Sequence, residues 1–367
     1  QLVVGVFLFA AGFGSLIPGA LADRYGRRPV LMFSFAAYGL LALGCAVVSD
    51  FTMLLVLRAV QAIASAGLSV LPGAIIRDRF GGDRMARMMS TISVVFMLVP
   101  MIAPSYGQAV MLVAGWRWIF GGMAVMAAVI GAWTWLRLPE TLHPEYRQKI
   151  AAGTITRNML EAATNRAAMG YVLGGALLTG GLFGYINSAQ QLIAEHFGAG
   201  ARFPLLFALM AGSMAVANFS NSRIVERFGA RRVSHAALLV YIAVSTAQVL
   251  LAFSGRETLW GFLLLMGLNL CLMGFIGANF GSIALQPFAR TAGAASSLQA
   301  FTRMAFGAFL GGMIGQAYDN SARPLALALL ACATVALALV LVSERGRLFR
   351  RLNPPGMARP VPEPELH

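Results

Sequence analysis

The chain has 367 residues, 58% of them hydrophobic and 11% charged, and its mean hydropathy is +0.73. Soluble domains carry roughly 25% charged residues, so these values exclude a soluble domain of useful size and, with it, an enzyme core. The net charge of +14 is scattered through connectors and never gathers with aromatics on one face, so no nucleic-acid partner is expected.

Apolar runs long enough to cross a hydrocarbon core of about 30 Å lie at 2–21, 30–48, 52–76, 88–112, 117–137, 167–191, 202–222, 233–254, 258–284, 293–316 and 323–343. They predict an all-α membrane protein with eleven helices in this chain. Cys45, Cys271 and Cys332 fall inside these runs and read as small buried hydrophobes, so neither a disulfide framework nor a metal site is expected.

The first run closes in Gly19-Ala20-Leu21-Ala22-Asp23-Arg24-Tyr25-Gly26-Arg27-Arg28-Pro29. Gly19 and Gly26 permit a tight connection, and Pro29 suits the first turn of the next helix. Asp23 is a negative charge near a helix end, suited to a neighbouring N-terminus or an arginine. Such a junction can latch one side of a bundle; the alternative is a basic loop that only sets topology.

The 52–76 run contains Arg58 and Gln61, with Arg58 roughly 10 Å along its helix. A charge at that depth costs at least ~2.5 kcal/mol unless it pairs, meets water or snorkels to the interface. In 88–112, Pro100 and Pro104 remove backbone donors and bend the helix, while Gly107 lets the bent face pack closely. The connector 139–166 is the longest and reads as a solvated linker with a surface helix.

The second copy of the loop lies 203 positions after the first, as Glu226-Arg227-Phe228-Gly229-Ala230-Arg231. An acid-Arg-aromatic-Gly loop repeated between membrane-length segments indicates two related halves. Tyr185, Asn187, Gln190, Asn218, Asn269, Asn279 and Gln299 are polar positions that face a central cavity or bond between helices. Arg303 lies about 16 Å into its helix and needs either a wet cavity or a structural partner. Gly170 and Gly174, Gly180 and Gly184, and Gly307 and Gly311 are spaced for close helix contacts. The 24 Phe and 19 Met can accommodate varied apolar ligands, or serve as core and lipid contact. From Glu344 the tail is Arg-rich and then Pro-rich, a composition for disorder at a lipid surface.

Of 28 basic residues, 22 fall in alternate connectors and the tail, which places that side in the cytoplasm by the positive-inside rule. The first run then starts outside. Glu226 closes the second span of its half, whereas Asp23 closes the first span present, so one helix is expected in front of this chain. The domains are a first bundle at 1–138, the cytoplasmic loop 139–166, a six-helix bundle at 167–343 and the tail 344–367.

The first loop resembles motif A of the major facilitator superfamily. Leu54 to Gln61 is similar to motif B, with Ala62 where a Gly is usual, and Ala103-Pro104-Ser105-Tyr106-Gly107 resembles the antiporter motif C. With Gly115-Trp116-Arg117, Arg77-Asp78, Leu138-Pro139-Glu140-Thr141-Leu142 and Leu285-Gln286-Pro287, the set resembles the bicyclomycin-resistance type of drug:proton antiporter. The resemblance implies a major facilitator fold with eleven of its twelve helices here, in two pseudo-symmetric halves. It implies a monomeric, multi-pass bacterial inner-membrane exporter of small amphipathic compounds in exchange for protons, without cofactor. Gly19, Asp23, Arg24, Gly26, Arg27, Arg28, Arg77, Glu226, Arg227 and Gly229 would form a cytoplasmic gate. Arg58 and Gln61 would serve coupling, and Pro100, Pro104 and Gly107 the antiporter bend. Asn187, Gln190 and Arg303 are assigned to coupling or the cavity on their own polarity, since no family motif covers Arg303. None of the eleven runs holds a carboxylate, and the family's first-helix Asp would lie upstream, so this chain alone is expected not to couple transport to protons. A facilitator of metabolites or nutrients, and a non-transporting fragment or sensor, are the alternatives.

Overall fold

The computed structural model describes residues 2–79, 99, 102–103, 105–142, 152–288 and 292–349, and nearly all of them are helical. In chain order the helices are α1 (Leu2–Gly14), α2 (Pro18–Tyr25), α3 (Arg27–Val47), α4 (Phe51–Arg79), α5 (Arg117–Arg137) and α6 (Ala152–Thr164). They continue with α7 (Arg166–Gln190), α8 (Phe203–Phe228), α9 (Ala230–Phe253), α10 (Leu259–Leu285), α11 (Ala292–Gln316) and α12 (Arg323–Ser343). Eight of these are long and apolar enough to cross a membrane, and the α1–α2 pair makes a ninth if counted as one span. The 25-residue α11 stands outside that set. Gln299, Thr302 and Arg303 make it the polar helix of the bundle. The expected 88–112 run falls largely outside the described residues, which are helical at 105–113.

The first run is not the straight helix its sequence predicts. α1 and α2 meet at 44°, because Pro18 has no amide to donate and the chain tightens through Leu16 N to Phe13 O and Ile17 N to Gly14 O, both 3.2 Å. Gly19 is consequently a residue of α2 with open space around it, and Gly26 alone makes the turn.

The largest buried cluster lies among α7 to α12, with Tyr171, Tyr185, Leu238, Tyr241, Phe262 and Met266 at its centre. Smaller clusters, Ala22–Leu31–Leu71 and Cys45–Leu54–Phe120, hold α2 to α5 together. Cys45 and Cys332 are buried and Cys271 half-buried, all with free thiols. Outward faces carry bare apolar side chains such as Phe33, Leu40 and Val47 (72%, 70% and 80% exposed), the surface that lipid covers.

The expected glycine contacts are present. A Cβ on Gly180 would stand 2.8 Å from that of Leu310, and one on Gly184 2.7 Å from Ile314, so α7 and α11 cross backbone to backbone. α1 closes the seam to the second group of helices, with Phe13 edge-on to Phe301 at 4.8 Å between ring centroids.

Candidate functional site

Two helix junctions, built alike, stand at the arginine-rich end of the bundle. Gly26 separates α2 from α3 at φ 103, ψ 156, and Gly229 separates α8 from α9 at φ 85, ψ 146. That region is all but closed to residues with a Cβ, so glycine is what lets one helix start directly after another ends.

At the first junction Arg27, 6% exposed, reaches from the first turn of α3 in two directions. Its Nη1 meets Asp23 Oδ1 of α2 at 2.5 Å and its Nε meets Asp78 Oδ2 of α4 at 3.0 Å. Glu140, just beyond α5, caps the same helix start. Its Oε1 accepts from Arg27 N (2.9 Å), Thr141 N (2.9 Å) and Leu142 N (3.0 Å), and its Oε2 from Arg28 N (3.2 Å). Partial burial pushes the Glu140 carboxyl up, but these four backbone donors outweigh it and hold it below the ordinary value. Arg28 donates from Nη2 to Trp135 O at 2.7 Å.

The second junction repeats the plan. Arg231 donates from Nε to Glu344 Oε1 (2.7 Å) and from Nη1 to Gln286 Oε1 (2.8 Å). Glu344 also accepts from the Tyr171 hydroxyl at 2.6 Å. Burial raises the Glu344 carboxyl, and the hydrogen bonds from Tyr171 and Arg231 overcome that, leaving it lowered. His235 Nδ1 accepts from Phe349 N at 3.1 Å, so its Nε2 carries the proton and donates to the Tyr171 oxygen 2.9 Å away. Arg27 and Arg231 are 204 positions apart, and so are Glu140 and Glu344.

Of the expected gate residues, Asp23, Gly26, Arg27, Arg28 and Gly229 stand at these junctions. Arg24 and Arg227 are exposed, each over the neighbouring ring of Tyr25 or Phe228 at 5.1 and 5.5 Å, and Gly19 is remote from both turns. The side chains of Arg77 and Glu226 lie outside the described residues, as do Pro100 and Pro104; Gly107 is described, with open space at its Cα. Sequence reasoning left Asp78, Glu140, Arg231, Gln286 and Glu344 out of the gate. The equal 204-residue spacing of the arginines and the glutamates was the available signal.

Arg58 does not snorkel. It is 8% exposed and donates from Nη1 to Gln61 Oε1 at 2.7 Å. Its guanidinium lies 4.1 Å from the Phe7 ring centroid and 5.5 Å from that of Phe120. Gln61 is fully buried and ties the pair to Tyr38 O at 3.3 Å. The cation is thus caged by aromatic faces and an amide within the first group of helices.

A cavity of about 380 Å³ opens among α7, α8, α10 and α11. Its wall includes Leu178, Phe183, Met214, Met273 and Phe280, with Thr179, Asn218, Gln299 and Arg303 as polar groups. Arg303 is the expected coupling or cavity residue that lines it. Gln190 is exposed at the far end of α7, and Asn187 is half-buried outside that wall. Asn269 bonds Gln248 and Ser245 on α9 (2.7 and 3.2 Å), and Asn279 bonds Asn221 on α8 (2.8 Å), so these two tie helices together. Tyr185 is 2% exposed and stacked on Phe207, in the packed core. Among the described residues no cluster of three or more His, Cys, Asp or Glu suits a metal ion.

Residues 1–312 match the family described as Major Facilitator Superfamily. A bicyclomycin resistance protein homolog of Haemophilus influenzae is 28% identical over 90% of this chain and 83% of its own length. Multidrug resistance protein MdtL of Klebsiella pneumoniae is 29% identical over 93% and 86%. Among solved structures, a D-xylose-proton symporter superposes with TM-score 0.70 at 13% identity, over 94% of this chain and 88% of the other. The nucleoside transporter NupG gives 0.65 at 15%, over 94% and 90%.

Proposed function

We propose, from the premise that this chain belongs to the major facilitator superfamily, that it exports small amphipathic compounds, antibiotics among them, in exchange for protons. The superfamily makes it a multi-pass membrane transporter. The finer reading is supported by the names of its relatives, a bicyclomycin resistance homolog and a multidrug resistance protein.

The observation that carries the mechanism is the pair of like-built junctions at one end of the two helix groups. Residues 1–138 and 167–343 are the two units, joined by 139–166, that rock against one another. The arginine-rich end faces the cytoplasm of a bacterial inner membrane, with the C-terminus on that side and one chain as the working unit. Arg27 holds α2, α3 and α4 together through Asp23 and Asp78 while that end is closed, and releases them when it opens. Glu226, Arg77, Arg24 and Arg227 act at the same end. Pro100, Pro104 and Gly107 form the antiporter bend, and the caged Arg58–Gln61 pair, with Asn187 and Gln190, belongs to coupling.

A second reading, a facilitator that needs no proton gradient, draws on one observation. Among the described spans the acids stand only near the ends, Asp23 and Glu195, whereas a proton carrier is normally an acid deep in the membrane. Cells expressing the chain, loaded with a panel of amphipathic antibiotics, decide the matter. Reduced accumulation that a protonophore abolishes supports proton-driven export. Export that survives the protonophore supports the facilitator, and unchanged accumulation overturns both.

A further inference from the structure

We infer that Arg303 is the substrate-anchoring cation of the cavity, and that the cavity takes small amphipathic anions: an apolar body carrying one carboxylate or similar oxyanion. The inference rests on the transport reading above and names its substrate class.

Arg303 stands mid-way along α11, far from either end of a 25-residue helix. A guanidinium there requires a partner or a wet space. Among the described residues it makes no hydrogen bond and no ion pair, and its side chain is open to the cavity. Arg58, the other arginine of the apolar interior, is held by Gln61 and two aromatic rings, with its Nε unpaired among the described residues. Arg303 has no such cage.

The rest of the wall decides which ligand suits it. No acidic residue lines the cavity among the described residues, so nothing there neutralises the guanidinium or attracts a cation. Gln299 lies one turn before Arg303 on the same helix face, and Asn218 faces in from α8 with one amide hydrogen given to Met214 O. These neutral groups can complete the shell of a bound oxyanion without competing for it. The planar fork of arginine matches two carboxylate oxygens at once, which a neutral amide cannot reproduce. Met214, Met273, Phe183 and Phe280 offer a deformable apolar wall for the remainder. A volume of about 380 Å³ lies at the small end of drug-sized pockets, which run from roughly 300 to 1,000 Å³.

The test is equilibrium binding of 2-naphthylacetate, its neutral amide and the cationic 2-naphthylethylamine to the purified full chain, by titration calorimetry in detergent. The carboxylate is expected to bind about tenfold more tightly than the amide and the ammonium more weakly than either. Arg303→Gln should erase the preference while leaving the amide where it was, and Arg303→Lys should keep part of it. Equal affinities, a preference for the ammonium, or no carboxylate binding at about 1 mM in the wild type overturns the inference without any variant. So does an Arg303→Gln protein that still prefers the anion. Counterflow of the same probes in proteoliposomes is read separately: binding without transport removes the transport reading and leaves the anion site standing.

Discussion

The Glu140 carboxylate is the feature most open to measurement, because one side chain serves four backbone donors, two at the start of α3 and two in the chain just after Glu140 itself. Replacing it by Gln keeps the Oε1 position, with its three partners at 2.9–3.0 Å, and turns an NH2 group toward Arg28 N, losing the 3.2 Å bond. The loss is one hydrogen bond, about 0.5–1.5 kcal/mol, plus the charge at a helix N-terminus, about 0.3–1 kcal/mol. Glu140→Gln should therefore cost about 1–2 kcal/mol. Glu140→Ala releases all four donors. Water reaches this half-buried site, so the sum falls well short of four charged bonds, at about 2–4 kcal/mol. Thermal unfolding in one detergent should rank wild type above Gln and Gln above Ala. The pH dependence follows from the lowered carboxyl. Its stabilisation is fully present above the unfolded value of roughly 4.3 and is lost as pH falls through the folded value, so wild type and Glu140→Gln converge in acid. Equal midpoints for all three proteins at neutral pH, or Ala above Gln, would refute the capping argument.

Gly229→Ala places a Cβ at φ 85, ψ 146 and should destabilise by about 1–3 kcal/mol, while Gly19→Ala, inside α2 with open space around it, should leave the melting midpoint unchanged or raise it. Glu344→Gln keeps an acceptor for Tyr171 but loses the charge facing Arg231. It should cost about 1–3 kcal/mol at neutral pH, and because the Glu344 carboxyl is lowered, that gap to wild type should close as pH drops below the unfolded carboxylate value. Arg58→Met fills similar space among Phe7, Phe120 and the α4 backbone. Melting should stay within about 1 kcal/mol of wild type or rise, with export lost; a protein that exports normally removes Arg58 from coupling.

The spans were legible because a bilayer demands long apolar runs, and the two-half plan because the loop at Asp23 recurs at Glu226. Local chemistry also predicted the turn at Gly26 and the pairing of Asp23 with an arginine. What escaped were contacts set by packing between distant segments. The 44° break in the first run depends on Pro18, which a hydropathy count passes over. The cage around Arg58 uses Phe7 and Phe120, each more than fifty residues away, and neither ring differs in sequence from a lipid-facing one. Gln190 and Arg303 look equally polar in an apolar run, yet one ends its helix at the surface and the other lines the cavity. Depth along the helix, and the azimuth fixed by tight crossings such as Gly180 on Leu310, separate them.

The two junctions are alike in backbone and unlike in charge, and the difference bears on how the end they share can open. In the first, Arg27 joins two carboxylates on different helices, and a third carboxylate holds the helix start through backbone donors alone. In the second, Arg231 joins one carboxylate, Glu344, and one amide, Gln286. The Arg231–Gln286 bond is charge-assisted on its donor side alone, whereas Arg27 and Asp78 are both ionised and attract each other as an ion pair as well. The link from α9 to α10 is therefore weaker than the link from α3 to α4, while Tyr171, itself bonded by His235, ties Glu344 to α7 and Arg231 ties it to α9. Each half keeps its arginine on the following helix, but its strongest cross-links run between different neighbours. When the end opens, the second half should part first, between α9 and α10, before Arg27 releases α2, α3 and α4 in the first half.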